Sequence, residues 1–427
     1  MIYIIKKMIR NILLKYGEKI GIDLPYFVKH GFFATMRQIV DLLAGLLLAI
    51  MFARFATKDV FGHYQFVIAI FSIVSILSLP GLNTSVARSA AIGKDGDYKN
   101  AVKKSFIYSL WGIPILFIIG VFYYLTQSQE LGIAFAISSF FFPLFYAPNT
   151  WGSFLQGKGR FDVFFKFGST QSIINAIITS IVVFLNQNNL LPIIFTYFIT
   201  YTIFNAAYYF KSFKYVENDE KDPDAIKYGK FLTIMNIFQL LAENVDKIIV
   251  GLLMPASSLA VYGVISMIPV RLKNVFGYIL NITFSKIASK NIDIKDLFKS
   301  NKKLPYIILF MSILIGLIYY VLIEKISYLF FGNGYSDFYQ YSKIFTVFMM
   351  LLLPYSLLYI YANAKKMVKL IKSIYPFFFF IKLIVTVIFV YFWGLVGAVI
   401  AYNINAFILI CLYLIYINRD SKKLGTF

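Results

Sequence analysis

The chain has 427 residues, of which 59% are hydrophobic, 19% aromatic and only 14% charged. A soluble domain carries about 25% charged residues, so this composition excludes an ordinary water-soluble fold. The 41 Lys and Arg exceed the 20 Asp and Glu to give a net charge of +21, while one cysteine, Cys411, and two histidines exclude an intrachain disulfide and a His/Cys metal cluster.

The first 30 residues place Ile4, Ile5, Met8, Ile9, Ile12 and Leu13 at helical spacing beside Lys6, Lys7 and Arg10, the pattern of a short helix on a membrane surface. Charges break its apolar part and no small-residue cleavage site follows, so it does not read as a signal peptide. Beyond it, apolar runs of about 20 residues, long enough to cross the hydrocarbon layer, recur to the end of the chain. Twelve spans are predicted: 31–53, 61–83, 105–125, 132–154, 167–187, 192–213, 229–254, 260–284, 304–323, 343–363, 374–393 and 395–417.

The basic residues alternate between the two sides of these spans. Thirty-two lie in the amino-terminal segment, in every second connection and in the tail 418–427; only Arg54, Lys58, Lys325 and Lys343 lie opposite, and five fall inside spans. The positive-inside rule then puts both termini in the cytoplasm. Basic inner loops account for the net charge without nucleic acid. The outer loops are short, the longest being about 324–342, which argues against a membrane glycosyltransferase or polymerase with a large outer platform. No Walker-type phosphate loop is present, so ATP hydrolysis by that route is not expected.

A shift of 198 residues lays the second half on the first. Gly62-His63-Tyr64 falls on Ala260-Val261-Tyr262, Asn83 on Asn281, Arg88 on Lys286 and Ala90 on Ala288. The expected architecture is therefore an all-α integral membrane protein: an N-lobe of six helices (31–213), a cytoplasmic linker (214–228) and a C-lobe of six (229–417), as parallel repeats about a central cavity. The charged, proline-bearing linker suits lobes that move separately.

Charges within spans are costly unless they face a protein-lined, hydrated cavity, so each is a candidate site residue. The cations are Arg37, Lys247, Arg271, Lys273 and Lys382; the acids are Asp41, Glu243 and Asp246. Arg37 and Asp41 share one helix face, and Asn236, Gln239, Glu243, Asp246 and Lys247 form a polar stripe on the seventh span. The competing reading is that these are self-neutralising pairs that support packing. Arg271 and Lys273 lie about 200° apart on a helix and cannot both face a cavity unless Pro269 distorts the turn; Arg271 is the deeper, and Lys273 is placed to snorkel. Lys382 has no acid within one turn, so its partner lies on another helix or on a ligand. Arg88 and Lys286 mark a cytoplasmic rim, for a phosphate or simply for topology. The excess of bases points to an anionic ligand.

The segments ARFATKDVFGHYQFVIAIFSIVSILSLPGLNTSVAR, NVDKIIVGLLMPASSLAVYGVISMI, LFFGNGYSDFYQYSKIF and FWGLVGAVIAYNIN resemble the polysaccharide-transporter branch of the multidrug/oligosaccharidyl-lipid/polysaccharide (MOP) exporter superfamily. Within it the chain is similar to Wzx-type O-antigen and capsule flippases, from about residue 30 onward. The resemblance implies a MATE-like two-lobed transporter, not an enzyme. Its implied substrate is an undecaprenyl-diphosphate-linked oligosaccharide moved from the cytoplasmic to the periplasmic leaflet, with membrane lipids and other polysaccharide-assembly proteins as partners. The family's charged cavity maps here onto Arg37, Asp41, Glu243, Asp246, Lys247, Arg271 and Lys382. No cofactor is expected; protons or sodium ions at Asp41, Glu243 or Asp246 would drive the return step. The alternative is a drug antiporter of the MATE branch, for which five bases against three acids is the wrong polarity.

Overall fold

The computed structural model describes the backbone of residues 24–290, 303–364 and 368–424, with side chains over 31–276, 303–359, 361 and 374–418. The surface helix expected over the first residues lies outside this set. Among the described residues the long elements are all helices: α1 (Leu24–Phe55), α2 (Lys58–Val74), α3 (Gly81–Ala91), α4 (Gly96–Ser109), α5 (Gly112–Thr126), α6 (Gln129–Tyr146), α7 (Trp151–Gly157), α8 (Phe161–Leu185) and α9 (Leu190–Ser212), then α10 (Ala225–Leu253), α11 (Ala256–Lys290), α12 (Leu304–Phe331), α13 (Thr346–Ala364) and α14 (Val368–Leu424). Short helical turns from Asn333 to Phe345 join α12 to α13.

Ten helical segments of the described residues are long and apolar enough to cross a membrane, two fewer than the expected spans. One difference is α10, whose charges Glu243, Asp246 and Lys247 make it too polar to qualify. The other is the 45-residue segment Ile374–Asn418, counted once. As one straight helix it would be about 68 Å long, more than twice the hydrocarbon thickness of about 30 Å. It is not straight: Gly394 adopts φ 55° and ψ −131°, between the two spans predicted there.

The second predicted span is also interrupted. After Val74 the chain forms a turn over Ser75–Ser78, Leu79 takes a left-handed φ of 57°, and Pro80 starts α3. The Ser75 and Ser78 hydroxyls donate back to the carbonyls of Ser72 and Ser75 at 2.6 and 2.7 Å, closing the local helix while the axis changes direction.

The two halves meet along α2 and α3. Near residue 62 bare glycine lets helix backbones touch, because a Cβ on Gly62 would strike the Ala256 carbonyl of α11. At Gly81 the same holds for Gly229 and Thr233 of α10, and Gly81 N donates to Thr233 Oγ1 at 3.0 Å. Beside it Ser85 Oγ donates to the Ala225 carbonyl at 2.6 Å, and the Arg88 guanidinium sits 5.2 Å from the Tyr228 ring.

At the opposite end, Arg54 of α1 donates to the Phe330 carbonyl from Nε at 2.8 Å and to the Leu329 carbonyl from Nη2 at 2.5 Å. Those are terminal carbonyls of α12, which lack helical partners and carry partial negative charge. Lys58 lies 5.1 Å from the Tyr335 ring and 5.2 Å from the Phe338 ring, so two of the few bases on this side tie the halves together. Because Arg54 is exposed, Arg54→Ala is expected to cost this closure only about 1 kcal/mol, roughly a fivefold gain in states open at this end. Ala53 beneath it is 7% exposed, so in a Cys411→Ala background an Ala53→Cys thiol should react correspondingly faster with a polar maleimide. An unchanged labelling rate would show that Arg54 holds nothing closed.

Candidate functional site

The polar stripe of α10 opens into a cavity of about 520 Å³ walled by α10, α11, α13 and α14, with Ser72 of α2 contributed by the first half. Its lining contains Glu243, Asp246, Lys247, Lys273 and Lys382, five of the expected site residues. Lys382 and Asp246 are each 9% exposed at the side chain and form an ion pair at 3.4 Å. Lys382 Nζ also donates to the Ala242 carbonyl at 2.5 Å, and the Tyr262 hydroxyl donates to the second Asp246 oxygen at 2.6 Å. The partner sought for Lys382 thus lies on another helix, and each charge of the pair has a second polar contact, as burial demands.

The other charges here are less enclosed. Glu243 is exposed and accepts from Gln239 Nε2 at 3.1 Å, one turn earlier on α10. Lys273 lies 5.6 Å from the Tyr355 ring and Lys382 5.8 Å from the Tyr402 ring. Tyr359, Tyr375, Phe348 and Phe378 complete an aromatic wall interleaved with Ser266, Ser356, Asn274 and Asn405. Three lysines against two carboxylates make the lining cationic, and flat rings beside amide and hydroxyl groups suit a polyhydroxylated ligand with negative charge.

The first-half charges form a separate group. Arg37 pairs with Asp41 on α1; Ser172 of α8 donates to the same Asp41 oxygen, and the Arg37 guanidinium lies over Gly168. Arg37 is 13% exposed and its Nε has no partner, whereas Asp41 is 44% exposed. The pair is seated against α8, and neither residue is part of the lining of the second-half cavity. Helix α11 runs unbroken through Pro269, so Arg271 and Lys273 diverge as helical geometry requires. Lys273 lines the cavity, and the Arg271 guanidinium rests on Gly45 of α1. Arg88 stacks on Tyr228 in the α3–α10 seam; the side chain of Lys286 lies outside the described residues.

Sequence reasoning missed Tyr262, Tyr355, Tyr402 and Asn405, because among 32 tyrosines nothing marks these three, and one asparagine in an apolar span carries no charge to single it out. One signal existed for Tyr262, which matches Tyr64 in the internal repeat. Among the described residues no group of three or more His, Cys, Asp or Glu could hold a metal ion.

Comparison with known proteins agrees with this architecture. A family model described as "Polysaccharide biosynthesis protein" matches residues 27–288. A Shigella flexneri protein named "Putative O-antigen transporter" is 26% identical over 312 residues, 66% of this chain and 71% of its own. The lipid II flippase MurJ in an inward closed conformation superposes with a TM-score of 0.64 at 15% identity, covering 92% of this chain and 87% of its own. An inward-facing MATE multidrug transporter of the MOP superfamily gives 0.65 at 12% identity, covering 92% and 99%. At such identities these two structures speak for the fold. With its family model spanning more than half its length, the chain belongs to the polysaccharide biosynthesis protein family and is a multi-pass membrane protein with the fold of the MOP-superfamily transporters.

Proposed function

We propose that this protein is a flippase that carries an undecaprenyl-diphosphate-linked oligosaccharide from the cytoplasmic to the periplasmic leaflet of a bacterial inner membrane, both of its termini being cytoplasmic. The observation that carries this reading is the lining of the second-half cavity, where Lys247, Lys273 and Lys382 stand among Tyr355, Tyr359, Tyr375 and Tyr402. A sugar chain needs hydrogen-bonding groups and ring faces, and a diphosphate needs cations, of which Arg is suited to bidentate contact. Arg37 and Arg271, both on or against α1, supply the guanidinium groups for the diphosphate, while the prenyl tail stays in lipid. In this reading α10 is the seventh span, α14 contributes the last two about Gly394, and the Arg54 end is periplasmic.

The halves would rock about the cavity, and protons or sodium ions would exchange at Glu243 or Asp41, the acids open enough to be reached. A cationic drug is the poorer ligand, because the cavity lining is itself cationic.

The test is glycan analysis of a bacterial strain lacking this gene. Lipid-linked repeat units should accumulate on the cytoplasmic leaflet and surface polysaccharide should be lost. The native gene should reverse both, and an Arg37→Ala or Arg271→Ala form present at normal levels in the membrane should not. Unchanged glycans with altered drug sensitivity would replace this reading with a drug antiporter.

A further inference from the structure

The glycines of the helix bundle face three kinds of neighbour, and one kind marks a site. At Gly112, Gly251, Gly263 and Gly316 the nearest atoms belong to the uncharged side chains of Phe142, Phe66, Gln65 and Met350. At Gly62, Gly81, Gly120 and Gly157 the nearest atom to an added Cβ is a backbone carbonyl oxygen of another helix, so these glycines exist for close helix packing. At Gly45 the three nearest atoms all belong to the guanidinium of Arg271, and at Gly168 all belong to the Arg37 side chain, its Nε and Cζ nearest. These two glycines make room for a charged side chain instead of a helix.

Gly45 stands four residues beyond Asp41 and eight beyond Arg37, so the three share one face of α1, spanning about 12 Å. On that face Arg37 comes from the first half and Arg271 reaches in from the second, with Asp41 between. Arg37 is held by Asp41 and Gly168. The Arg271 guanidinium fills the space that a side chain at residue 45 would occupy.

We infer that Gly45 is a positioning residue for diphosphate recognition: its bare backbone seats the Arg271 guanidinium on the Arg37–Asp41 face of α1, making a two-arginine anion clamp with one arm from each half. This rests on the flippase reading and adds to it the element that aims the second arginine. A methyl at residue 45 meets the mobile end of a long side chain, so Gly45→Ala folds normally while the guanidinium is pushed off its seat. Arg recognition of phosphate depends on a fixed planar fork, so displacement weakens binding although the charge is still present.

The experiment measures binding of two probes, undecaprenyl diphosphate and inorganic pyrophosphate, to purified full-length protein in nanodiscs. Gly45→Ala is expected to weaken binding roughly ten- to a hundredfold, the range for one charge-assisted hydrogen-bonding group, with an unchanged melting temperature. Arg271→Ala should lose the same factor, and the double variant no more, since both changes act on one guanidinium. Gly31→Ala, on the same helix with nothing within 4 Å, should bind as the native protein does. Native-like binding by Gly45→Ala, or a further loss when it is added to Arg271→Ala, would overturn the seat while leaving the flippase reading intact. Gly45-dependent binding of pyrophosphate without binding of undecaprenyl diphosphate would keep the clamp and remove the proposed lipid carrier. No binding of either probe by the native protein would overturn both.

Discussion

Lys382→Met should be among the most damaging single substitutions in this protein, lowering its stability by about 3–5 kcal/mol although methionine nearly fills the same volume. Lys382 and Asp246 are both almost wholly enclosed, and the ammonium is the only cation within salt-bridge distance of Asp246 among the described residues. Removing it leaves the Tyr262 hydroxyl, a neutral donor, as the side-chain hydrogen bond of a buried carboxylate. The same reasoning makes Asp246→Asn damaging, because it strands the ammonium on the Ala242 carbonyl. The double variant Lys382→Met/Asp246→Asn removes both charges together and should recover most of the loss, since a buried pair returns little beyond its desolvation cost. Thermal unfolding of the four proteins in one detergent provides the check. Additive losses would mean that the two side chains do not act as a pair. Recovered folding without recovered export would place the pair among the groups needed for transport.

The membrane fold was largely legible in the sequence because apolar run length answers directly to bilayer thickness. The legible part failed where a local device beat the average: Pro80 and the Ser75 and Ser78 hydroxyls divide the second span. The candidate site was legible in its residue types and less so in its grouping. Intramembrane charge alone singled out Lys247, Lys273, Lys382, Glu243 and Asp246, which do share a cavity. That Arg37 and Asp41 pack on α8 depends on Gly168 and Ser172, residues too ordinary to be noticed, and on which helix α1 leans against. That Arg271 crosses to Gly45 depends on how the halves approach, which no spacing within one helix encodes. Tertiary neighbours decide such pairings, while periodicity reports only the face a residue occupies.

Asp95→Ala should loosen the linker by about 2–3 kcal/mol, the cost of orphaning a buried backbone donor and weakening a buried cation. The Asp95 carboxylate is enclosed; it accepts from the Glu217 amide at 2.8 Å and from Lys158 at 3.1 Å, and Lys158 reaches Glu217 at 2.9 Å as well. Asn218 donates to the Gly93 carbonyl at 2.8 Å, Gly96 N donates to the Glu220 carbonyl at 2.8 Å, and Asp97 accepts from the Asp222 amide at 2.9 Å. Tyr215, Val216 and Ile226 add apolar contact with the core around Tyr98, Trp151 and Phe154. The connection between the halves is thus fastened to the first half along most of its length. Burial opposes the charge on Lys158, but hydrogen bonds to Glu217 and Asp95 and the attraction of both carboxylates outweigh it and hold its pKa above the ordinary lysine value. A pKa raised by folding stabilises fully below the unfolded value of about 10.4 and fades as pH climbs through the folded one, so the latch should be constant from pH 6 to 9 and weaken only in strong alkali. Hydrogen exchange of residues 214–224 reads both effects: faster exchange in Asp95→Ala is expected, and unchanged exchange, or loosening that begins near neutral pH, would refute the latch. A fastened linker cannot be the hinge between the halves. With Ser85 bonded to the Ala225 carbonyl and Gly81 to Thr233, the start of α10 is held to α3 as well, so in the proposed rocking the pivot would lie along that seam.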